Sequence, residues 1–187
     1  MANSLNTKIK TFLHIPSPMP KYCFKSVLDI KSEDLIKMGA LAVALDIDNT
    51  ICNDGKNNCI EGLNEWLCEI QNSGIKIMII SNAIGKRPKK IAKSLNLPCL
   101  CFARKPFPHK LYKAAKLMDV NINQLAMIGD QLFADIKAAN WCGAIPVRVD
   151  PLEGETRWKK YYEIRRGIEN PVMEEFKKNH AYGVYDE

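Results

Sequence analysis

The segment that most constrains the fold of this chain is residues 41–50, LAVALDIDNT. Its apolar first half is rich in branched side chains and predicts a buried strand of a parallel sheet. Asp46 and Asp48 point to one face if the strand continues, whereas a bend after Asp46 lets both flank a bound ion and an anionic group. Because buried, uncompensated carboxylates are costly, the pair predicts a divalent cation. Oxygen-preferring Mg²⁺ is the natural candidate.

The same short pattern is also typical of a solvated turn after a strand, so the choice between an ion-binding site and a turn depends on the rest of the sequence. Four further apolar runs are predicted strands: 75–80, 99–102, 125–128 and 145–149. Amphipathic helices are predicted between them, for example where four apolar residues recur with helical spacing: Leu63, Trp66, Leu67 and Ile70. This alternation predicts an α/β fold, a five-stranded, mostly parallel sheet with helices on both faces. Pro146 predicts that the last strand lies at an edge.

Polar side chains follow the predicted strands at the points where they end. Ser81 and Asn82 follow the second strand, Lys105 the third, and Asp130 the fourth, with Asp135 in the next helix. In a parallel sheet the carboxyl ends of the strands share one edge, where ligands bind close to the reversal of strand order. We therefore expect these side chains to meet Asp46 and Asp48 in one site.

Composition limits the class of protein without selecting its partner. The 187 residues suffice for a single domain, with an N-terminal arm at about 1–38, a core at about 39–150 and a basic extension at about 151–187. No apolar run is long enough to span a membrane, and seven cysteines without a Cys-x-x-Cys pair suggest a reduced, cytoplasmic protein. The net charge of +6 allows phosphate esters, nucleic acid or an anionic membrane as partners.

The segment 157–166 interleaves cations with aromatic residues. Its basic residues are Arg157, Lys159, Lys160, Arg165 and Arg166, and its aromatic residues are Trp158, Tyr161 and Tyr162. One interpretation is a solvated terminal helix whose apolar side chains pack on the domain. The alternative is a surface for peripheral contact with an anionic membrane or for nucleic acid.

Taken together, these residues resemble the haloacid dehalogenase (HAD) superfamily, and more narrowly the YqeG group of its subclass IIIA phosphatases. Its four motifs correspond to 46–50, Ser81, Lys105 and 129–135. The narrower likeness rests on Tyr22 and on the segments 26–30, 103–106, 128–131 and 156–157. Two positions depart from the group pattern, Ala83 in place of Asn and Ala134 in place of Thr, and neither is a catalytic carboxylate.

The resemblance implies a phosphatase acting on phosphoric monoesters through an aspartyl-phosphate. Asp46 is the implied nucleophile, and Asp48 is the implied general acid and base. Mg²⁺ is implied at the carboxylates of Asp46 and Asp130 and at the main-chain carbonyl of Asp48, with Asp135 in support. The substrate phosphoryl group is implied to contact Thr50, Ser81, Asn82 and Lys105.

The spacing between the motifs leaves no room for an inserted cap domain, because 30 residues separate Thr50 from Ser81 and they form one flap and one helix. A capless, open site suits a large or surface-bound substrate. Relatives of the group resemble phosphatidylglycerophosphate phosphatases, which suggests a phospholipid headgroup, while another large or soluble phosphomonoester is the alternative substrate. A different class of function is a HAD scaffold with little or no catalysis that binds RNA or a ribosomal partner, although no recognised RNA-binding motif is present.

Overall fold

A computed structural model describes residues 17–152, 159–180 and 183, with the backbone alone at 159, 161, 162 and 179. Its centre is a parallel sheet with the strand order β1-β6-β5-β2-β3-β4. The strands are β1 (Tyr22–Phe24), β2 (Ala42–Leu45), β3 (Lys76–Ile80), β4 (Cys99–Leu100), β5 (Leu125–Gly129) and β6 (Ile145–Val149). The predicted α/β class is confirmed, but the sheet has six strands rather than five.

The additional strand comes from the predicted N-terminal arm, and it changes the expected position of the strand that contains Pro146. β1 pairs in parallel with β6, so β6 lies inside the sheet between β5 and β1 and the edge prediction was wrong. The carbonyl of Pro146 accepts from the backbone N–H of Lys21, at 3.0 Å. The N–H and the C=O of a strand residue point to the same neighbouring strand, so the N–H that Pro146 lacks would point to the residues that precede β1. No hydrogen bond of the sheet is needed there.

The helices cover both faces of the sheet, as the alternation of apolar residues requires. They are α1 (Ser32–Lys37), α2 (Leu63–Asn72), α3 (Arg87–Ser94), α4 (His109–Leu117), α5 (Lys137–Cys142) and α6 (Lys159–Asn179). In β2, Val43 and Leu45 pack in one cluster with α1, α2 and α3, whereas Ala42 and Ala44 pack in the other with α4 and α5. Burial on both faces explains why β2 is apolar throughout.

The helix α6 packs on the end of the sheet that carries β1. Met173 and Phe176 form a small buried cluster with Cys23 of β1 and with Leu132 and Ile136 of a π-helix that follows β5 (Leu132–Ile136). This contact brings the C-terminal helix to the carboxyl end of β5. Among the described residues, no helix has both the length and the apolar character that crossing a bilayer requires.

Candidate active site

The chain bends sharply after Asp46. Of the two arrangements that the sequence allows, a continued strand or a bend, the structure therefore has the bend. The backbone N–H of Asp46 still joins the sheet through a 3.0 Å bond to the carbonyl of Ile128. Asn49 then takes a left-handed φ of 59°, and the carbonyl of Ile47 accepts three N–H bonds from the turn that follows. The nucleophile candidate is therefore fixed by the sheet, while Asp48 belongs to the turn. Asp46 is buried and Asp48 is half-buried.

The ammonium of Lys105 is the centre of the buried charges. Its Nζ lies 2.6 Å from Asp46 Oδ1, 2.6 Å from Asp135 Oδ1 and 3.0 Å from the carbonyl oxygen of Ile80. Two of these contacts are hydrogen bonds, to Asp46 and to the Ile80 carbonyl, and the contact with Asp135 is an ion pair. Burial by itself lowers the pKa of Lys105, but Asp135 and Asp46 outweigh burial and raise it above the ordinary value, so the side chain is charged.

Asn82 positions Lys105 through its backbone. The side-chain carbonyl of Asn82 accepts from the N–H of Lys105 at 2.7 Å, and its amide donates to the carbonyl of Lys105 at 3.1 Å. This two-point clamp joins the loops that follow β3 and β4. The clamp uses the amide oxygen and one of the two N–H donors of the Asn82 amide. The expected contact between Asn82 and phosphate stays a prediction.

Asp46, Asp130 and Asp135 form a cluster whose ligand atoms lie within 4.8 Å of one another. Asp130 Oδ1 is buried and has no hydrogen-bond partner. Burial raises the pKa of Asp46 well above its usual range against the opposing effect of Lys105, and burial raises the pKa of Asp130 to about 7 against that of Arg166. An orphaned carboxylate oxygen among acidic groups that are costly to ionise fits a hard divalent cation.

The side chain of Asp135 lies in this cluster, although its expected role was support behind the ligands. Its Oδ2 accepts from the backbone N–H of Gln131 at 3.0 Å, while its Oδ1 contacts Lys105. Asp48 contributes no side-chain oxygen to the cluster. Its expected contact with the metal through the main-chain carbonyl stays a prediction.

Arg87, at the start of α3, holds Asp48 and was not identified from the sequence. Its Nη1 lies 2.8 Å from Asp48 Oδ1, and its Nε donates to the carbonyl of Lys56 at 2.8 Å. The N–H of Gly55 is 3.4 Å from the same Asp48 oxygen. One guanidinium thus ties the predicted flap at 51–58 to the general-acid candidate. No motif marks this arginine, because the pairing depends on how the flap folds over α3.

Two hydroxyl groups that were predicted to contact phosphate, those of Thr50 and Ser81, differ in their hydrogen bonding. Thr50 Oγ1 is buried without a partner, so it is available to a phosphoryl oxygen. Ser81 Oγ accepts from the backbone N–H of Ala83 at 3.1 Å and retains its own hydroxyl proton for donation. Both observations are compatible with the predicted contacts to phosphate.

The C-terminal helix supplies a second set of groups that sequence reasoning missed. Arg166, expected on a basic surface, forms an ion pair with Asp130 through Nη2 and a second with Glu169 through Nη1. Arg165 Nε lies 3.2 Å from Glu169 Oε1. The predicted residues Arg157 and Trp158 lie outside the described residues, as do the side chains of Lys159, Tyr161 and Tyr162.

A cavity of about 520 Å³ is lined in part by Lys105. Its walls come from the loops after β3 and β4, from the π-helix and from α6: Asn82, Lys105, Pro106, Phe133, Ala134, Ile164, Arg165 and Ile168. Ile164 and Ile168 are exposed and give this cavity an apolar wall. In the described residues, no inserted domain lies between the motifs, as the capless prediction requires.

Replacing Gly129 by Ala should damage the site directly. A Cβ at this position would lie 2.8 Å from Asp135 Cβ and closer still to the Asp135 carboxylate, so Asp135 must move. We expect a loss of about 1–3 kcal/mol in the free energy of unfolding, measured with urea, together with loss of activity. Gly167 is the matched control, because no atom lies within 4 Å of a Cβ there. A Gly129→Ala variant with the stability and activity of Gly167→Ala would contradict this packing.

The known proteins that this chain matches in sequence are named as phosphatases, as the geometry of the site leads us to expect. A family model described as mitochondrial PGP phosphatase matches residues 5–151. The probable phosphatase YqeG of Bacillus subtilis strain 168 is 29% identical over 151 residues, which cover 79% of this chain and 88% of that protein. The likeness confirms the expected relation to the YqeG group.

A solved structure shares the fold at low sequence identity, and a second resembles it more weakly. DsGPDH of Dunaliella salina superposes with a TM-score of 0.51 and 19% identity, over 68% of this chain and 28% of that one. The 3-deoxy-D-manno-octulosonate 8-phosphate phosphatase of Moraxella catarrhalis, solved with magnesium, phosphate and KDO, gives 0.46 and 17% over 80% of this chain and 99% of that one. The family match carries the assignment: this chain belongs to the mitochondrial PGP phosphatase family, a family of phosphatases.

Proposed function

We propose that the chain is a Mg²⁺-dependent phosphatase that works through an aspartyl-phosphate on Asp46. The observation that carries this proposal is the buried contact of Asp46 with Lys105, beside an Asp130 oxygen that lacks a partner. The sheet holds the Asp46 carboxylate at its carboxyl edge, where an incoming phosphate meets Lys105. The intact carboxylate cluster favours catalysis over the alternative of a non-catalytic scaffold that binds RNA or a ribosomal partner.

The proposed reaction has two displacements at phosphorus. In the first, an Asp46 oxygen forms the new P–O bond, the ester P–O bond breaks, and Asp48 donates its proton to the departing oxygen. In the second, the Asp48 carboxylate takes a proton from water, the water oxygen attacks phosphorus, and the bond to Asp46 breaks to release phosphate. Asp48 suits both roles because it is half-buried on the turn rather than committed to the buried cluster.

The residues that would hold Mg²⁺ are Asp46, Asp130 and Asp135, with the main-chain carbonyl of Asp48 as the HAD resemblance implies. The bound cation would neutralise the repulsion between the anionic nucleophile and the anionic substrate. Thr50 and Ser81 would donate hydrogen bonds to phosphoryl oxygens. Lys105 would supply positive charge.

For the substrate, we propose phosphatidylglycerophosphate presented at a membrane surface. The family description, the absence of a cap among the described residues and the apolar wall at Ile164 and Ile168 support a phosphate attached to a lipid. We also propose a cytoplasmic protein in peripheral contact with anionic lipid through the basic segment at 157–166. Arg166 is directed at Asp130 rather than outwards, so this contact would depend on the other cations of the segment.

Asp46→Asn should abolish turnover while the protein stays folded. The amide has nearly the shape of the carboxylate but is not a competent nucleophile, so kcat should fall by about three orders of magnitude or more. The assay is phosphate release from p-nitrophenyl phosphate, with circular dichroism to verify the fold. Asp119→Asn, at an exposed turn residue, is the matched control and should keep full activity. Near-wild-type turnover by the Asp46 variant would exclude Asp46 as the nucleophile.

Mg²⁺ should stabilise the protein, and more strongly at pH 8 than at pH 5. Burial raises the pKa of Asp130 from 3.8 to about 7 in the metal-free fold, so folding takes up a proton between these values and stability falls as pH rises through them. The cation competes with that proton, so its benefit grows over the same window. Thermal melts with Mg²⁺ or with a chelator test this.

The Mg²⁺ stabilisation should be largely lost in Asp130→Asn, which removes one charged ligand. An equal gain in melting temperature for wild type and variant would count against Asp130 as a ligand. Full activity in the presence of a chelator would rule out the proposed metal dependence altogether.

The apolar wall predicts a substrate preference that one substitution should change. Ile168→Asn should lower kcat/KM for phosphatidylglycerophosphate in mixed micelles by about tenfold, since the contact is apolar, and leave p-nitrophenyl phosphate unaffected. Ile36→Asn is the matched control, because both isoleucines are 59% exposed and Ile36 lies on α1, away from the cavity. A sugar phosphate or nucleotide hydrolysed faster than the lipid by wild type would overturn the lipid assignment.

A further inference from the structure

A carboxylate–guanidinium pair on α6, the buried Glu169 and the half-buried Arg166, lies against Asp130. Arg166 Nη2 forms an ion pair with Asp130 Oδ2, and Arg166 Nη1 donates to the Asp130 carbonyl at 3.2 Å. One guanidinium therefore grips both the side chain and the backbone of Asp130. Asp130 is completely buried, and its remaining oxygen, Oδ1, is the atom without a partner.

Glu169, one helical turn further along α6, holds Arg166 in place. Its Oε2 pairs with Arg166 Nη1, and its Oε1 accepts from the backbone N–H of Leu132 at 3.1 Å. Glu169 is only 1% exposed. The two α6 side chains thus bind three successive points of the loop after β5: the Asp130 carboxylate, the Asp130 carbonyl and the Leu132 amide.

Docking of α6 does not by itself explain these charges. Met173 and Phe176 already bury an apolar surface of the helix against β1 and the π-helix. Buried ion pairs contribute little net stability, because the cost of removing the charges from water offsets their attraction. The pair is better explained by what it does to Asp130. The matched family segment ends at residue 151, so α6 lies beyond it.

We infer that Arg166, held by Glu169, is a positioning residue for the metal ligand Asp130, so that the C-terminal helix completes the cation site. By engaging Oδ2 and the main-chain carbonyl, Arg166 leaves Oδ1 as the Asp130 oxygen available to a divalent cation. This inference rests on the proposed Mg²⁺ dependence. Partners that orient ligands from behind typically change metal affinity by about 10–100-fold when they are removed.

The opposite role makes an opposite prediction. If Arg166 instead occupied the place of the cation and suppressed its binding, removing the guanidinium would strengthen metal affinity. A single substitution of Arg166 by a neutral residue cannot distinguish the two roles, because it also adds net negative charge to the site. The double variant Arg166→Gln/Glu169→Gln removes one positive and one negative charge, so the net charge is kept and the fixed orientation is lost.

The test is isothermal titration of the full-length protein with Mg²⁺, in wild type, in the double variant and in Met173→Ala. Met173→Ala weakens the apolar docking of α6 without touching a charge, so it is the matched control for a purely structural effect. We expect the dissociation constant for Mg²⁺ to rise by about tenfold or more in the double variant and to change little in Met173→Ala. At saturating Mg²⁺, kcat of the double variant should recover most of its wild-type value.

Two outcomes would overturn the inference. They are an unchanged or tighter dissociation constant in the double variant, and an equal loss of affinity in Met173→Ala at equal loss of melting temperature. If the double variant does not fold, Arg166→Lys tests the same point, since it keeps the net charge but lacks the planar fork that binds both the carboxylate and the carbonyl of Asp130. Asp130→Asn separates this inference from the proposed function: if that variant binds Mg²⁺ as tightly as wild type, the metal assignment itself is wrong and the inference falls with it.

Discussion

The buried ammonium of Lys105 is the interaction on which the rest of the site depends. Carboxylates from the ends of β2 and β5 converge on one dry location, which would be prohibitively costly for them if no cation were present. Lys105 contacts Asp46 and Asp135 at 2.6 Å each and donates to the carbonyl of Ile80. A phosphate that approaches Lys105 therefore competes with two carboxylates for its positive charge. A divalent cation on the carboxylates would reduce that competition.

The sequence was sufficient for much of this arrangement. The apolar runs with polar ends identified five of the strands, and the parallel order explains why Asp46, Ser81, Lys105 and Asp130 meet at one edge. It was insufficient for β1, because a strand of three residues in a proline-rich arm has no periodicity of its own and forms only by pairing with β6. The position of Pro146 was predicted wrongly for the same reason, since β1, the neighbouring strand, lies far away in the sequence.

Side-chain pairs between residues far apart in the sequence were the second feature that the sequence could not predict. Arg87 reaches Asp48 and Arg166 reaches Asp130 across the fold, and neither arginine belongs to a local motif. The basic character of 157–166 suggested a solvent-facing surface, because in a sequence a cation that pairs with a buried carboxylate looks the same as a solvated one. The direction of each side chain is fixed only once α6 packs through Met173 and Phe176. Charge pattern alone therefore predicts net attraction to anions but not which cations remain at the surface.

The placement of β1 and α6 has a consequence for biosynthesis. Chains emerge from the ribosome starting at the N-terminus. β1 emerges early, but its strand partner is β6, at residues 145–149, with a further bridge from Cys23 to Gly183, and Asp130 meets Arg166 only after α6 has formed. A nascent chain can thus assemble β2 and β3 while Asp130 still lacks its guanidinium partner. Asp130 is therefore the carboxylate of the site that gains its cationic partner last, when α6 packs onto the loop after β5.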